Sequence, residues 1–220
     1  MDALECIRTR KSIRAFKPET VPREILAEVI GTAGWSPSYK NSQPWEVTVL
    51  SGAKKEALSA HIIELFENGE APTPDIAAPT SWPGPEQTRI DHLYASRAKA
   101  AGIDLSAPET VRKAKKANFS FYEAPHAIYL LQESSLTLWS LFDLGLFAQS
   151  LMLAAHAMGL GTVPQAFATD YARQIKQFLS IPETKRLVLG ISIGYPNPDS
   201  PVNALKTERV GTDETTTWHE

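Results

Sequence analysis

Ile25, Leu26, Val29, Ile30 and Ala33 fall on one stripe at helical spacing. They predict an amphipathic helix that begins near Val21 or Pro22, is capped by Thr20 and stops at Gly34. Ahead of it, residues 2–9 read as a short helix with Leu4 and Ile7 facing inward. Residues 45–50 alternate as a strand, and 53–67 form a second amphipathic helix. After a proline-rich stretch at about 68–82, helices are expected over 87–101 and 109–120. The run 127–131 is a buried strand. The longest helix is expected over 135–158, roughly 36 Å at 1.5 Å per residue. Leu136, Leu138, Trp139, Leu141, Phe142, Leu144, Leu146, Phe147, Leu151, Met152 and Leu153 leave it almost no polar face. A helix apolar nearly all round must be surrounded, and in so small a protein a partner subunit is part of that surround. Gly159 ends it. A loop, GLGTVPQAF, leads to a helix at 170–179, a strand at 186–193 and a proline-rich arm after Tyr195.

Composition narrows this only a little. At 220 residues and 43% hydrophobic, the chain can bury the core of a single domain, 1–220. Residues 68–123 read as an insertion or lid, because neither side of them closes a core alone, and 196–220 as a C-terminal arm. A formal charge of −3 argues against binding nucleic acid by broad electrostatic attraction. The single cysteine, Cys6, excludes an intramolecular disulfide and a cysteine metal cage. With no secretory signal visible in MDALECIRTR, the expected compartment is the reducing cytoplasm. The most apolar stretch, 144–155, is short and carries Gln149 and Ser150, so it is a core helix and not a membrane span.

Candidate chemistry collects in one stretch. Arg8, Arg10, Lys11, Arg14 and Lys17 occur within ten residues that contain no acid. Arg10-Lys11-Ser12-x-Arg14 suits a phosphate plus a second electron-rich group, since guanidinium forks onto phosphate oxygens. Taken alone, the cluster reads first as a solvated basic loop, as most charge runs do. SPSYKNSQPW (36–45) presents amide and backbone groups suited to the polar edge of a planar heterocycle, and equally to a helix-to-strand turn. GISIG (190–194) matches a serine-hydrolase elbow in letters only. Ser192 sits inside an apolar strand pattern, and YPNPDSP cannot begin the required helix. The five histidines share no metal-ligand spacing, so no metal site is expected. His156 reads as a packed, hydrogen-bonded histidine. Gly159-Leu-Gly161 follows a helix where a dinucleotide turn follows a strand, and no P-loop occurs.

Together these segments resemble the FMN-dependent nitroreductase family. The likeness lies in RTRKSIRAFKPETVPREILAEVIGTAGWSPSYKNSQPW, MGLGTVPQAF, RLVLGISIGYP and ALKTERVGTDETTTWHE, in that order over nearly the whole chain. The long 68–123 insertion and the TTTWHE ending are similar to the branch that reduces nitroaromatics. The resemblance implies an α+β, three-layer fold: a mixed, mainly antiparallel sheet flanked by helices, in an intertwined homodimer with a swapped C-terminal arm. It implies FMN held by both chains. Arg10 would bind its phosphate with Lys206 and Arg209, Lys11 and Ser12 the ribityl side and ring edge, and Arg14 the pyrimidine carbonyl. Pro37, Ser38 and Asn41 would line the cofactor of the other subunit, and backbone groups of Pro164, Gln165 and Ala166 would face the ring. Tyr39 and Lys40 depart from the family's commoner small residues there.

The implied activity is ping-pong transfer of a hydride from NADH or NADPH, through flavin, to a nitroaromatic or quinone-like small molecule. No catalytic side-chain acid or base and no membrane partner are expected. Other readings keep the fold and change the acceptor (enone reduction, reductive dehalogenation, dehydrogenation of a substrate), or make the protein a flavin-binding sensor or store. Trp82, Tyr94, Phe119, Phe121 and Tyr122 are candidate lid residues, equally readable as ordinary packing.

Overall fold

The computed structural model describes residues 1–101, 104 and 106–220; residues 102, 103 and 105 of the expected insertion lie outside the described residues. Four strands form one sheet in the order β1-β2-β4-β3. They are β1 (Glu46–Ser51), β2 (His126–Glu133), β3 (Gly161–Gln165) and β4 (Lys185–Gly194). All three pairings are antiparallel, and a parallel component enters through an isolated bridge between Ser12 and Thr162. The central strand β2 is buried from His126 to Gln132 because both sheet faces are covered, which is why its sequence is continuously apolar instead of alternating.

One face carries α2 (Arg23–Ala33) and α6 (Leu138–Ala157). Val29, Ala33, Phe147, Leu151 and Ala155 close there on Ile128, Leu130, Ile191 and Ile193. The opposite face carries α3 (Gly52–Glu67), the end of α5 (Pro108–Phe119) and α7 (Ala172–Leu179). Leu58, Ile62, Phe119, Tyr171 and Ile175 pack there on Ala127, Tyr129, Leu131 and Leu187. Each fully buried large side chain contributes about 1.5–3 kcal/mol, so the period-2 division of β2 between the faces sets its register, and an irregularity between Leu187 and Leu189 switches β4 from the Leu187 face to the Ile191 face.

Several expectations change. GLGTVPQAF is a strand and not a loop: Gly161–Gln165 pairs with Gly194 to Gly190. An edge strand tolerates Pro164, which has no N–H to give. In α1 (Ala3–Thr9) it is Cys6 that is buried, its Sγ donating to Leu153 O, while Leu4 and Ile7 are exposed. The inward positions of so short a helix follow the single side it lays on α6. Thr20 does not cap α2, which starts at Arg23 with Pro22 in the cap position and no side-chain cap bond; proline pre-sets the backbone there. The long helix spans 20 residues, about 30 Å, because Thr137 holds an extended backbone ahead of it.

The insertion is tied down at its start. Thr73 N donates to Asp170 O at 2.6 Å and Tyr171 OH to Glu70 O at 3.1 Å. Asp75 accepts from Leu187 N at 2.7 Å and pairs with the buried Lys176 at 3.1 Å. Beyond these anchors run α4 (Gly84–Ala101) and α5.

Candidate functional site

The basic segment lies along β3. Ile13 N donates to Thr162 O at 2.9 Å, and Ile13 is buried against Gly161, where a Cβ would meet its Cγ1 at 2.7 Å. Only glycine lets the two backbones approach so closely. The bridge puts Arg10–Arg14 at the same sheet edge that ends in Pro164, Gln165 and Ala166. Farther on, Phe16 bridges Pro196, Lys17 N donates to Tyr195 O, and Asn197 N to Ala15 O.

Asn203 locks this arrangement. Its Oδ1 accepts from Arg14 N at 2.8 Å and Ala15 N at 3.2 Å, and its Nδ2 donates to Ala15 O and Asn197 O. All four of its side-chain bonding positions are used, and Lys11 Nζ donates to its carbonyl at 2.5 Å. The start of the expected arm is therefore part of the site's frame. Nothing in the sequence marks this asparagine apart from the others. Lys11 rests on that frame, and Ser12 contributes the bridge.

The cations that remain have no acidic partner. Among the described residues, none of Arg10, Lys11, Arg14, Lys206 and Arg209 forms a salt bridge. Burial, and then the neighbouring Arg209 guanidinium, hold the pKa of Arg10 below its ordinary value. Burial, and then Arg97 of α4, do the same to Arg14, while the Tyr122 phenol works the other way. Both stay charged. The Arg14 Nε is buried without a hydrogen-bond partner, a costly state unless an acceptor arrives. Tyr122, one of the candidate lid residues, and Arg97, which the sequence does not mark, reach this corner because α4 and the turn after α5 fold back over Arg14. Tyr122 sits in a left-handed run with Phe121 and Glu123, at φ 54, 53 and 57°. A cleft of about 710 Å³ between α4 and residues 205–210 is lined by Trp82, Ile90, Leu93, Lys206 and Arg209. Such an edge is built to take a phosphorylated, ring-bearing anion.

Pro164 and Ala166 are exposed, while Gln165 is buried between them. Its Nε2 donates to Asn118 O at 3.0 Å and Asn118 Oδ1 at 3.2 Å, and its Oε1 accepts from Ser192 Oγ at 2.5 Å. Ser192 is thus a fully buried donor inside β4, which disposes of the elbow reading. The glycines of GISIG serve packing: a Cβ at Gly190 would lie 2.6 Å from Ala168 Cβ, and one at Gly194 2.6 Å from Pro125 Cδ.

The 36–45 loop sits elsewhere, on α6. Ser36 Oγ donates to Ser150 Oγ at 2.7 Å, Tyr39 N to both oxygens of the buried Asp143 at 3.1 Å, and Gln43 N to Ser38 Oγ at 2.9 Å. Lys40, Asn41 and Gln43 have left-handed backbones at φ 52, 57 and 46°. Tyr39 stacks on Trp139 with centroids 6.1 Å apart, and Lys40 Nζ lies 5.6 Å from the Tyr39 ring. Among the described residues, no hydrogen bond joins Pro37, Ser38 or Asn41 to the basic segment. Within one chain, then, the structure brings Arg10, Ser12 and Arg14 together with 164–166 and Arg209, and leaves the loop apart.

His156 shows how close the basic edge lies to α6. Its Nε2 is 2.9 Å from Thr9 Oγ1, and its pKa is lowered by burial and then by Arg10.

An antiparallel sheet between two helical layers, with an acid-free cationic edge beside an exposed backbone turn, defines a class of anionic-cofactor enzyme. The family model for the Nitroreductase family matches residues 7–195, and the chain belongs to that family. It is 31% identical over 210 residues to nitroreductase NfnB of Mycolicibacterium smegmatis, covering 96% of this chain and 89% of that one. It is 32% identical over 211 residues to a 4-nitrobenzoate reductase of Pseudomonas putida, covering 92% and 89%. The structure of the FMN-dependent NfnB from Mycobacterium smegmatis in complex with NADPH superposes with a TM-score of 0.94 at 32% identity, over 99% of this chain and 98% of that one.

Proposed function

We propose that the protein is an FMN-dependent nitroreductase that passes electrons from NADPH or NADH to a nitroaromatic or quinone-like acceptor. The observation that carries this is the Ser12–Thr162 bridge, which sets the unmatched cations of residues 10–14 beside the 164–166 turn. FMN, when bound, would supply the two-electron redox chemistry that links a nicotinamide donor to the acceptor. The chain's own groups bind and tune. Arg10, Arg209 and Lys206 hold the phosphate, relieving the repulsion between the partly desolvated Arg10 and its neighbour Arg209. Arg14 offers its partnerless Nε and a fixed cation at the pyrimidine end, where reduction places negative charge. The backbone of Pro164, Gln165 and Ala166 faces the ring, Ser12 keeps the segment against β3, and Lys11 ties it to the tail at Asn203.

The working unit is a homodimer in the cytoplasm. Leu138, Trp139 and Phe142 of α6 are 79%, 63% and 60% exposed, and Trp35 is 90% exposed. An apolar surface of this kind beside a polar loop marks an association face. It carries Pro37, Ser38 and Asn41 to the cofactor of the partner, and residues after Ala204 form the arm that reaches across.

The test is spectroscopic. The purified protein should be yellow, bleach anaerobically with NADPH, and regain its colour with 4-nitrobenzoate. Protein that stays colourless after incubation with FMN would rule the reading out.

A further inference from the structure

Gln165 is out of character for its place. It is 2% exposed, at the last position of an edge strand, one residue from the exposed Ala166. An apolar residue would fill that position without any polar group to satisfy. Instead three polar side chains from three elements meet there: Asn118 from the end of α5, Gln165 from β3 and Ser192 from β4. Every hydrogen bond in this set is buried, and a satisfied buried network holds its members in a single geometry. The residues just beyond are held as firmly. Thr169 donates to Ala166 O through both N and Oγ1, at 3.0 and 2.8 Å, and the buried Tyr129 OH donates to Ala168 O at 3.0 Å. The amide of Gln165 hydrogen-bonds this turn to the end of α5, since Asn118 supplies both of the acceptors used by Nε2, and Lys115 Nζ lies 5.8 Å from the Phe167 ring beside it. Three residues after Asn118 begins the left-handed run whose Tyr122 reaches Arg14.

We infer that Asn118, Gln165 and Ser192 form a positioning clamp that sets the backbone of residues 164–166 against the flavin and couples that setting to the insertion. This rests on the flavin reading of the site. None of the three side chains touches the reacting atoms; each acts through the placement of a peptide unit. A displacement of that unit on the order of 1 Å is enough to slow a transfer step by up to about a hundred-fold. Because the same clamp joins α5 to β3, a ligand that presses on the insertion is felt at the turn.

The test uses the FMN-loaded protein. Gln165→Glu keeps the shape of the side chain and the bond from Ser192 but presents an oxygen to two acceptors on Asn118. Asn118→Ala removes one of those acceptors and leaves the carbonyl. Asn118→Asp keeps both. In Gln165→Glu, stopped-flow reduction by NADPH is expected to slow roughly ten- to a hundred-fold, with KM for NADPH unchanged and the midpoint potential of the bound flavin displaced. Asn118→Ala should move both readouts the same way by less, and Asn118→Asp, which sets an oxygen against Ala114 O where the amide donates at 2.9 Å, should move them as well. In flavin-free protein, amide hydrogen exchange should quicken together at 118–122 and 164–167 in Gln165→Glu. A flavin-loaded Gln165→Glu with the original rate and potential, or faster exchange in only one of the two segments, overturns the clamp. Should that variant fail to fold, an Asn118→Ala protein with unaltered rate and potential overturns it equally. Failure of the flavin reading looks different: the unsubstituted protein is then colourless with added FMN, and the clamp falls with it.

Discussion

At the scale of single residues, the two arginines of the basic segment separate by their neighbours. Arg10 stands beside Arg209, whereas Arg14 is the more buried and carries an orphaned Nε. Arg10→Ala is therefore expected to weaken FMN binding by about ten- to a hundred-fold, the loss of a charge-assisted contact, as read by flavin fluorescence titration. Arg14→Ala should keep most of its FMN and slow flavin reduction. Equal effects of both substitutions on both readouts would contradict these assignments. A different residue controls pH behaviour. His126 is buried; Val21 N donates to its Nε2 at 2.9 Å, so its proton sits on Nδ1, toward Ser51 Oγ at 2.5 Å. Burial first, and then Lys55, lower its pKa. The folded state thus prefers the neutral ring, and the stability this brings is complete above the unfolded value of about 6.5 and lost as pH falls through the folded value. Asp170 runs the other way: burial raises it to about 6, so its contribution is complete below the ordinary carboxylate range and lost as pH rises through about 6. His126→Gln should flatten the fall of Tm on the acid side of pH 6.5, as measured by differential scanning calorimetry; an unchanged pH slope would show that another group controls it.

At the scale of elements, α6 is the informative one. By length and composition it is the one described helix apolar enough to cross a membrane, and half of its most apolar window is buried in the fold. Leu144, Phe147, Leu151 and Ala155 make it the central helix of one layer. Its outer face begins with Leu138, Trp139 and Phe142, where Tyr39 of the 36–45 loop stacks. Replacing Leu138 and Phe142 together by Glu places two charges in that face. Such a protein is expected to run as a monomer in light scattering and to lose FMN, because the loop no longer reaches a partner's site. A dimer of undiminished size with full FMN would place the interface elsewhere.

At the scale of the whole molecule, the site is made by three chain segments far apart in sequence: residues 10–14, the turn after β3 and the tail from Tyr195. The bridges Ser12–Thr162 and Phe16–Pro196 and the four bonds of Asn203 hold them together. The insertion closes over this corner through Arg97, Asn118 and Tyr122, while Asp75 and Glu70 anchor its other end. A segment fixed at both ends can bear on the site without being hinged far from it.

Much of this was legible in the sequence. Helical stripes and apolar runs located every long element, since burial periodicity is a local property. The R-x-S-x-R start with SPS-x-x-N-x-QPW carried the family, because cofactor chemistry constrains residue types at fixed spacing. What the pattern could not tell was partnership. GLGTVPQAF looked like a loop because two glycines and a proline break strand statistics, yet Gly161 is required for the approach of Ile13, and Pro164 costs nothing at an edge. Leu4 and Ile7 looked inward because a short helix offers no second turn to decide its face. Asn118, Asn203 and the side chain of Gln165 carry no signal of their bonds, since a polar side chain becomes structural only when distant segments bring it donors and acceptors. Sequence by itself determined the elements, the family and the charged edge, all matters of residue type and local spacing. Tertiary structure alone decided which cations share a site and which polar groups are locked, because those follow from contacts between segments that chain order does not encode.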